Sequence, residues 1–356
     1  MKLYLFLQTE AKKSGPRAVK FHVLLKLNSS KMPVSDSGYV SPAWLPGGNL
    51  QTIVPAEFFP RPKVQYRREI WTTPDDDVIA VDWSETDKLS PNSPVMVHFH
   101  GLEGSSKSHY AEALMAFCAV NRIRGLVIHY RGCGGIDNKK LRAYCAADVP
   151  ELSWIFKKVR SMFPLSKIYS MGVSLGANNL LFWLGTLGEE ATKYVDAAVA
   201  VCCPMDLMES SKVISKGFSR VYDLNFINTM KDKALKKALA FPGTLDPEKI
   251  KSIKNLHDFD DFVTAPMFGY KNADDYWTKC SSSRVLKGIR VPVLAMNALN
   301  DPIVGKKSLP MESEVSKQVT LEYTQDGGHC GYPLGPFPGS LGYLPKRTWE
   351  FCTSFH

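Results

Sequence analysis

The sequence has no apolar run approaching the roughly 20 residues of a membrane-spanning helix, which argues against an integral membrane protein. Near the start, Leu3-Tyr4-Leu5-Phe6-Leu7 is too short for a signal-peptide core of about 7 to 15 residues, and no small-residue cleavage site follows it, so secretion is not expected. The eight cysteines include no C-x-x-C pair and no metal-ligand spacing, and only Cys202-Cys203 are neighbours. They read as buried or inert thiols of a reducing compartment, the cytoplasm, with neither a disulfide framework nor a metal. Nor is there a basic cluster: the formal net charge is +9, but Lys and Arg are spread along the chain. That pattern suits solubility and a mild attraction to anionic surfaces, hence peripheral membrane contact at most, and does not suggest nucleic-acid binding. No motif calls for a cofactor. What remains is 356 residues with 44% hydrophobic content, enough for one large α/β domain with an insertion.

The most informative segment is Gly172-Val173-Ser174-Leu175-Gly176, which lies between the apolar Lys167-Ile168-Tyr169-Ser170-Met171 and Ala177-Asn178-Asn179-Leu180-Leu181. A strand, a G-x-S-x-G turn and a helix in that order make a nucleophile elbow, which presents a serine hydroxyl at the C-terminal edge of a parallel sheet. The flanking glycines are needed because a strand turning directly into a helix crowds its own backbone.

Two partners should follow in the order acid then histidine, each after a later strand. The run from Arg290 to Ala298 reads as a buried strand, with Asp301 just beyond its end, and Val319 to Tyr323 reads as another, followed by Gly327-Gly328-His329. An Asp before Pro is ordinarily a turn or helix cap; order and placement together favour Asp301 as the acid over its rivals Asp206 and Asp326. In such a constellation Ser174 is the nucleophile, His329 the general base and acid, and Asp301 the group that orients the imidazole. The oxyanion donors should be the backbone N–H groups of Leu175 and of Leu102, the latter in the His100-Gly101-Leu102-Glu103-Gly104 turn after the strand Pro94 to Phe99. His100 itself is expected to be a packing histidine.

His100 to Ser105, His129-Tyr130-Arg131-Gly132-Cys133-Gly134-Gly135, the elbow and Gly327-Gly328-His329 together resemble the α/β-hydrolase fold, specifically its YheT-type branch. Asn49-Leu50-Gln51-Thr52, Lys216 to Tyr222, Phe241-Pro242-Gly243-Thr244, Phe259-Asp260-Asp261 and Gly269-Tyr270 also match that branch, and the resemblance spans roughly Pro42 to Gly331. It implies a carboxylic ester hydrolase with the triad carried over onto Ser174, Asp301 and His329, and medium-chain or monoacyl lipid esters as substrates. After His329 the chain departs from the family, with a Pro- and Gly-rich Tyr332 to Gly339 and a short final helix. The first 31 residues share no resemblance, so Met32 is expected to be the natural start, preceded by a disordered or mis-assigned extension.

Along the rest of the chain, strands alternate with helices as a doubly wound, mostly parallel sheet requires. Tyr66 to Trp83 should hold an opening antiparallel hairpin with a solvated turn at Pro74-Asp75-Asp76-Asp77. Helices are expected over Tyr110 to Asn121 and Asp148 to Met162, and strands over Gly125 to Tyr130 and Val195 to Cys203. Between Pro204 and Lys287 no strand pattern appears, and so long a structureless loop is improbable in a compact domain. A helical cap over about 205–288 is expected, with helices over Asn228 to Leu239, after Asp246-Pro247, and over Asp274 to Cys280. Phe218, Tyr222, Phe226, Phe262, Phe268, Tyr270 and Tyr276 are the cap aromatics available to line an acyl pocket, although holding the cap on the core is the commoner job for any one of them. An acyltransferase using the same acyl-enzyme, or a silent hydrolase scaffold acting as a binding protein, would share these motifs. An aspartate-nucleophile haloalkane or epoxide hydrolase would not.

Overall fold

A computed structural model describes residues 38–84 and 89–355. The expectation about the first 31 residues and Met32 lies outside them. Eight strands form one sheet: β1 (Tyr66–Thr72), β2 (Val78–Ser84), β3 (Val95–Phe99), β4 (Arg124–Ile128), β5 (Ile168–Val173), β6 (Ala197–Val201), β7 (Val293–Ala298) and β8 (Val319–Thr324). Their order is β1-β2-β4-β3-β5-β6-β7-β8. The β1–β2 and β2–β4 pairs are antiparallel, and every pair from β4 to β8 is parallel. All residues of β3, β5, β6 and β7 are buried, so these strands read as mainly apolar runs rather than alternating ones.

Helices α1 (Gly48–Glu57), α2 (His109–Val120), α3 (Val149–Met162) and α4 (Leu175–Leu187) precede the insertion, and α11 (Tyr343–Thr353) ends the chain. Helices α2 and α11 share a buried cluster with Met96, Met171, Val199 and Leu294. The opposite face of β3 meets α3 and α4, where Phe99 packs on Phe156 and Phe156 stacks on Trp183 at 4.5 Å. Asp148 starts α3 by accepting the Glu151 N–H, with Pro150 in the first turn. The Pro- and Gly-rich segment after His329 folds back on this core: Tyr332 is fully buried and stacks on Tyr343 at 5.5 Å.

Between β6 and β7 lie α5 (Leu207–Ile214), α6 (Arg220–Ala240), α7 (Pro247–Ser252), α8 (Leu256–Phe259), α9 (Ala265–Phe268) and α10 (Ala273–Cys280). Capping residues mark several starts: Asp206 for α5, Asp246 for α7 and Asn272 for α10. Helix α6 begins eight residues before the expected Asn228, and its first turns leave Val221 and Leu224 exposed and are fixed by polar contacts instead. Ser219 Oγ donates to the Pro302 carbonyl, and Tyr222 Oη donates to Asn49 Oδ1.

The hairpin turn at residues 74–77 is exposed at Pro74, Asp75 and Asp76, as expected, and departs from a solvated turn only at Asp77. Asp77 is fully buried and accepts from Arg131, Asn138 and the Lys139 N–H. Arg131 also binds Asp75 and Glu151. One guanidinium thus gathers three carboxylates and ties the hairpin to the loop after β4, a long-range pairing invisible in local charge density.

Candidate active site

Three strand ends converge at one edge of the sheet. At the end of β5 the chain reverses through Ser174, held at φ +53 and ψ −118, with its N–H donated to the Val201 carbonyl of the neighbouring strand. Both elbow glycines are required sterically. A Cβ on Gly172 would lie 2.5 Å from the Gly176 carbonyl oxygen, and one on Gly176 would lie 2.3 Å from that of Phe99. A side chain at Gly172 would push α4 off β5, one at Gly176 would push it off the end of β3, and either would move the serine.

Beyond β7, Asp301 is buried and does two jobs at once. Its Oδ1 accepts the N–H groups of Ile303 and Val304, as a turn-capping aspartate would, while Oδ2 lies 2.8 Å from His329 Nδ1. The other ring nitrogen, Nε2, is 3.0 Å from Ser174 Oγ. The two rival acids are occupied elsewhere. Asp206 caps α5, and Asp326 accepts from Asn300 and Gln51. A serine, an imidazole and a carboxylate so aligned can pass a proton from hydroxyl to ring while the carboxylate fixes the tautomer.

The histidine loop is held by residues that the sequence marked only as family matches. Thr52 Oγ1 accepts the His329 N–H at 2.8 Å, and Gln51 Oε1 accepts from Gly327 N and Asn300 Nδ2. Gly331 is forced, since a Cβ there would lie 1.8 Å from the Gln51 carbonyl oxygen. Gln51 and Thr52 belong to α1, far from the elbow in sequence. Their only signal was two polar residues inside a motif with no catalytic group.

On the other side of Ser174 stands the turn after β3. A Cβ on Gly101 would lie 3.2 Å from Ser174 Cβ, and the Gly101 N–H donates to Tyr110 Oη. Leu102 and Leu175 both line the cavity beside Ser174, and neither backbone N–H has a protein acceptor among the described residues. His100 lies beneath this turn, with Nδ1 2.8 Å from the Gly101 carbonyl and Nε2 accepting the Tyr130 N–H. Burial lowers its pKa to about 4 and that of His129 to about 3, so both are neutral packing groups.

A cavity of about 280 Å³ opens above Ser174 between the sheet edge and the insertion. Phe226, Met230 and Ala234 of α6 line it, with Phe259, Met267 and Phe268. Of the cap aromatics singled out above, only Phe226, Phe268 and Tyr276 reach it. Phe218 is 55% exposed, Tyr222 bonds to Asn49, and Phe262 and Tyr270 hold the cap helices together. The lining is not wholly apolar, because Glu103, Arg131, Lys233 and Lys237 also border it.

Cys202, His329 and Cys330 bring donor atoms within 4.8 Å of one another, the one such grouping among the described residues. Both His329 nitrogens are already engaged, however, and Cys202 Sγ accepts the Cys330 N–H at 3.2 Å, a bond that seats the histidine loop. The eight cysteines are all buried and free. No helix among the described residues is long and apolar enough to cross a membrane.

Comparison with known proteins agrees with this geometry. Residues 94–336 match the family model described as alpha/beta hydrolase fold. The chain is 34% identical over 309 residues to the Escherichia coli protein named "Putative esterase YheT", covering 86% of this chain and 90% of that one. It is 28% identical over 326 residues to phospholipase ABHD3 of Homo sapiens, covering 90% and 79% of the two chains. It is also 30% identical over 276 residues to a monoacylglycerol lipase of Saccharomyces cerevisiae, covering 75% and 59%. The chain therefore belongs to the α/β-hydrolase fold family, in its YheT-type branch.

Proposed function

We propose that this protein hydrolyses carboxylic esters of short- to medium-chain acids, monoacylglycerol-type lipids included, through a Ser174–His329–Asp301 triad. The observation that carries the reading is the unbroken line from Ser174 Oγ to His329 Nε2, and from Nδ1 to Asp301 Oδ2, at the floor of a mainly apolar cavity. Ser174 Oγ attacks the ester carbonyl as His329 takes its proton. The tetrahedral oxyanion is held by the N–H groups of Leu175 and Leu102. Collapse expels the alcohol, which receives the proton from His329, and leaves Ser174 acylated. A water deprotonated by His329 then attacks the acyl-enzyme, and Ser174 regains its proton as the acid departs.

The relatives named for esterase, phospholipase and monoacylglycerol lipase activities support an ester-hydrolysing enzyme with a lipid-like acyl group. The cavity supports an acyl chain enclosed beneath the cap rather than a polymer lying in an open cleft. The test is Ser174→Ala, assayed with p-nitrophenyl butyrate and a fluorophosphonate probe. Turnover should fall on the order of 10⁴-fold or more, and labelling should vanish. A mutant that kept a tenth of wild-type turnover would overturn the assignment.

A further inference from the structure

Glu103, one position after Leu102, holds φ +55, a left-handed conformation that a residue with a side chain adopts only at a cost. Its carboxylate is only 9% exposed, and it is held from two directions. From the cap, Lys233 of α6 places Nζ 2.9 Å from Oε2. From the segment before α3, Tyr144 Oη donates to Oε1 at 2.8 Å and accepts the Glu103 N–H at 3.3 Å. Lys233 Nζ also reaches Cys133 Sγ at 3.7 Å. Burial disfavours the Lys233 ammonium, but the neighbouring Cys133 and Glu103 outweigh it and raise its pKa above the usual lysine value, so Lys233 is a cation at neutral pH.

The Tyr144 segment is itself bound to the cap. Ala143 N–H donates to Met267 Sδ at 3.1 Å, and Ala146 N–H donates to Tyr276 Oη at 2.8 Å. Beneath, Tyr144 stacks on Tyr130 at 5.1 Å, and Tyr130 meets the edge of His100, whose own bond is to the Gly101 carbonyl. Residues 100–103 are thus clamped between a stack of rings below and a cap-borne cation above. Nothing in the proton relay of the triad uses Glu103, Lys233 or Tyr144.

We infer that the Lys233–Glu103–Tyr144 cluster is a positioning device that holds residue 103 in its strained conformation, aims the Leu102 N–H at the developing oxyanion, and makes transition-state stabilisation depend on a seated cap. The inference rests on the proposed reading of Ser174 as nucleophile and Leu102 as oxyanion donor. The physical reason is that an oxyanion donor acts only over a narrow range of distance and angle, so a small displacement removes much of its effect while leaving substrate binding intact. A charge pair with its carboxylate buried suits this task, because losing Lys233 leaves the Glu103 side chain, 9% exposed, without its cation and frees the loop.

The experiment is a double-mutant cycle with a rescue. Lys233→Met and Glu103→Gln should each lower kcat about tenfold or more, short of the 10²- to 10³-fold cost of deleting a donor outright, with KM changed by less than about twofold. The double variant should be no worse than the poorer single one, and Lys233→Arg should recover most of kcat. Affinity for a trifluoromethyl ketone, which forms an oxyanion-bearing adduct with the serine, should fall by the same factor as kcat/KM. A purely structural role would lower the melting temperature but leave that proportionality absent. If Glu103→Gln does not fold, the Lys233→Met and Lys233→Arg pair carries the same readouts. Additive losses, unchanged ketone affinity, or a raised KM at constant kcat would overturn the inference, the last by making Lys233 a substrate contact. Ser174→Ala run alongside separates the two failures: turnover retained there removes the triad reading itself, whereas turnover lost there with Lys233→Met fully active removes only the positioning role.

Discussion

Every residue of β3, β5, β6 and β7 is buried, whereas the 21-residue helix α6, the longest piece of the cap, buries only Asp223, Ile227, Met230, Ala234 and Ala238. The sheet edge is fixed by close backbone approaches that admit no Cβ at Gly172, Gly176 or Gly331. The cap is fixed by a thin apolar stripe and by polar ties such as Lys233 to Glu103, Lys237 to Asn138 and Ser219 to Pro302. Chemistry that requires its atoms at hydrogen-bond distance sits on the first kind of structure. On the proposed reading, selection of a flexible acyl chain needs only volume and apolar lining, and would sit on the second.

If that division holds, lesions at the sheet edge should damage all esters alike, and lesions in the cap should change which ester is preferred. The largest effect is expected at the acid. Asp301→Asn should cost on the order of 10⁴-fold in kcat/KM for p-nitrophenyl butyrate, because the imidazole loses its tautomeric anchor. Asp206→Asn and Asp326→Asn should cost less than about tenfold, since they cap a helix and pin a loop. Equal losses at Asp206 and Asp301 would move the acid to the preceding strand.

Gly176→Ala sharpens the comparison from the steric side. Its Cβ would meet the Phe99 and His100 carbonyl oxygens, and such overpacking costs about 1–3 kcal/mol or more. The melting temperature should fall by several degrees, about 2–4 °C per kcal/mol in a domain of this size class or somewhat less. The remaining hydrolysis should drop by one common factor across p-nitrophenyl esters of different length. A selective loss for long chains would contradict the separation of roles.

Cap lesions should do the reverse. In the wild type, each methylene added to the acyl chain should raise kcat/KM by up to about fourfold, from about 0.8 kcal/mol per buried CH₂, until the cavity is full. Ala234→Phe, which fills part of the cavity from α6, should move the optimum to shorter chains. A flat profile in both proteins would show that the cap does not enclose the acyl chain.

The smallest effect concerns cap stability. Asp260 accepts from Trp277 Nε1 and Thr264 Oγ1, yet burial outweighs both bonds and raises its pKa from 3.8 to about 6. The folded protein therefore keeps this proton where the unfolded chain has lost it. The associated stability is full below pH 3.8, declines as pH rises towards 6, and changes no further above that. Against Asp260→Asn, which cannot ionise, the wild-type melting temperature should decline across that window by a few degrees and run parallel above it. A constant difference over the whole range would show that folding does not raise the Asp260 pKa.

The parts of this molecule that local sequence determines are those whose signal is short-range. The elbow announces itself because the steric demand of a strand-to-helix turn forces glycine two positions before and after Ser174. The strands β3, β5, β6 and β7 announce themselves because two covered faces leave little place for polar alternation, and the order of the proposed triad follows from the strand order. Tertiary structure alone decided the rest. Asp77 reads as solvated like its two neighbours until Arg131, 54 residues beyond it, is brought to it. Gln51 and Thr52 are unremarkable until α1 is laid against the histidine loop, and Glu103 and Lys233 are ordinary surface residues until α6 closes over the turn after β3. A buried charge or polar side chain is tolerated only when its partner arrives from elsewhere in the chain, and such a partner has no fixed spacing for the sequence to display.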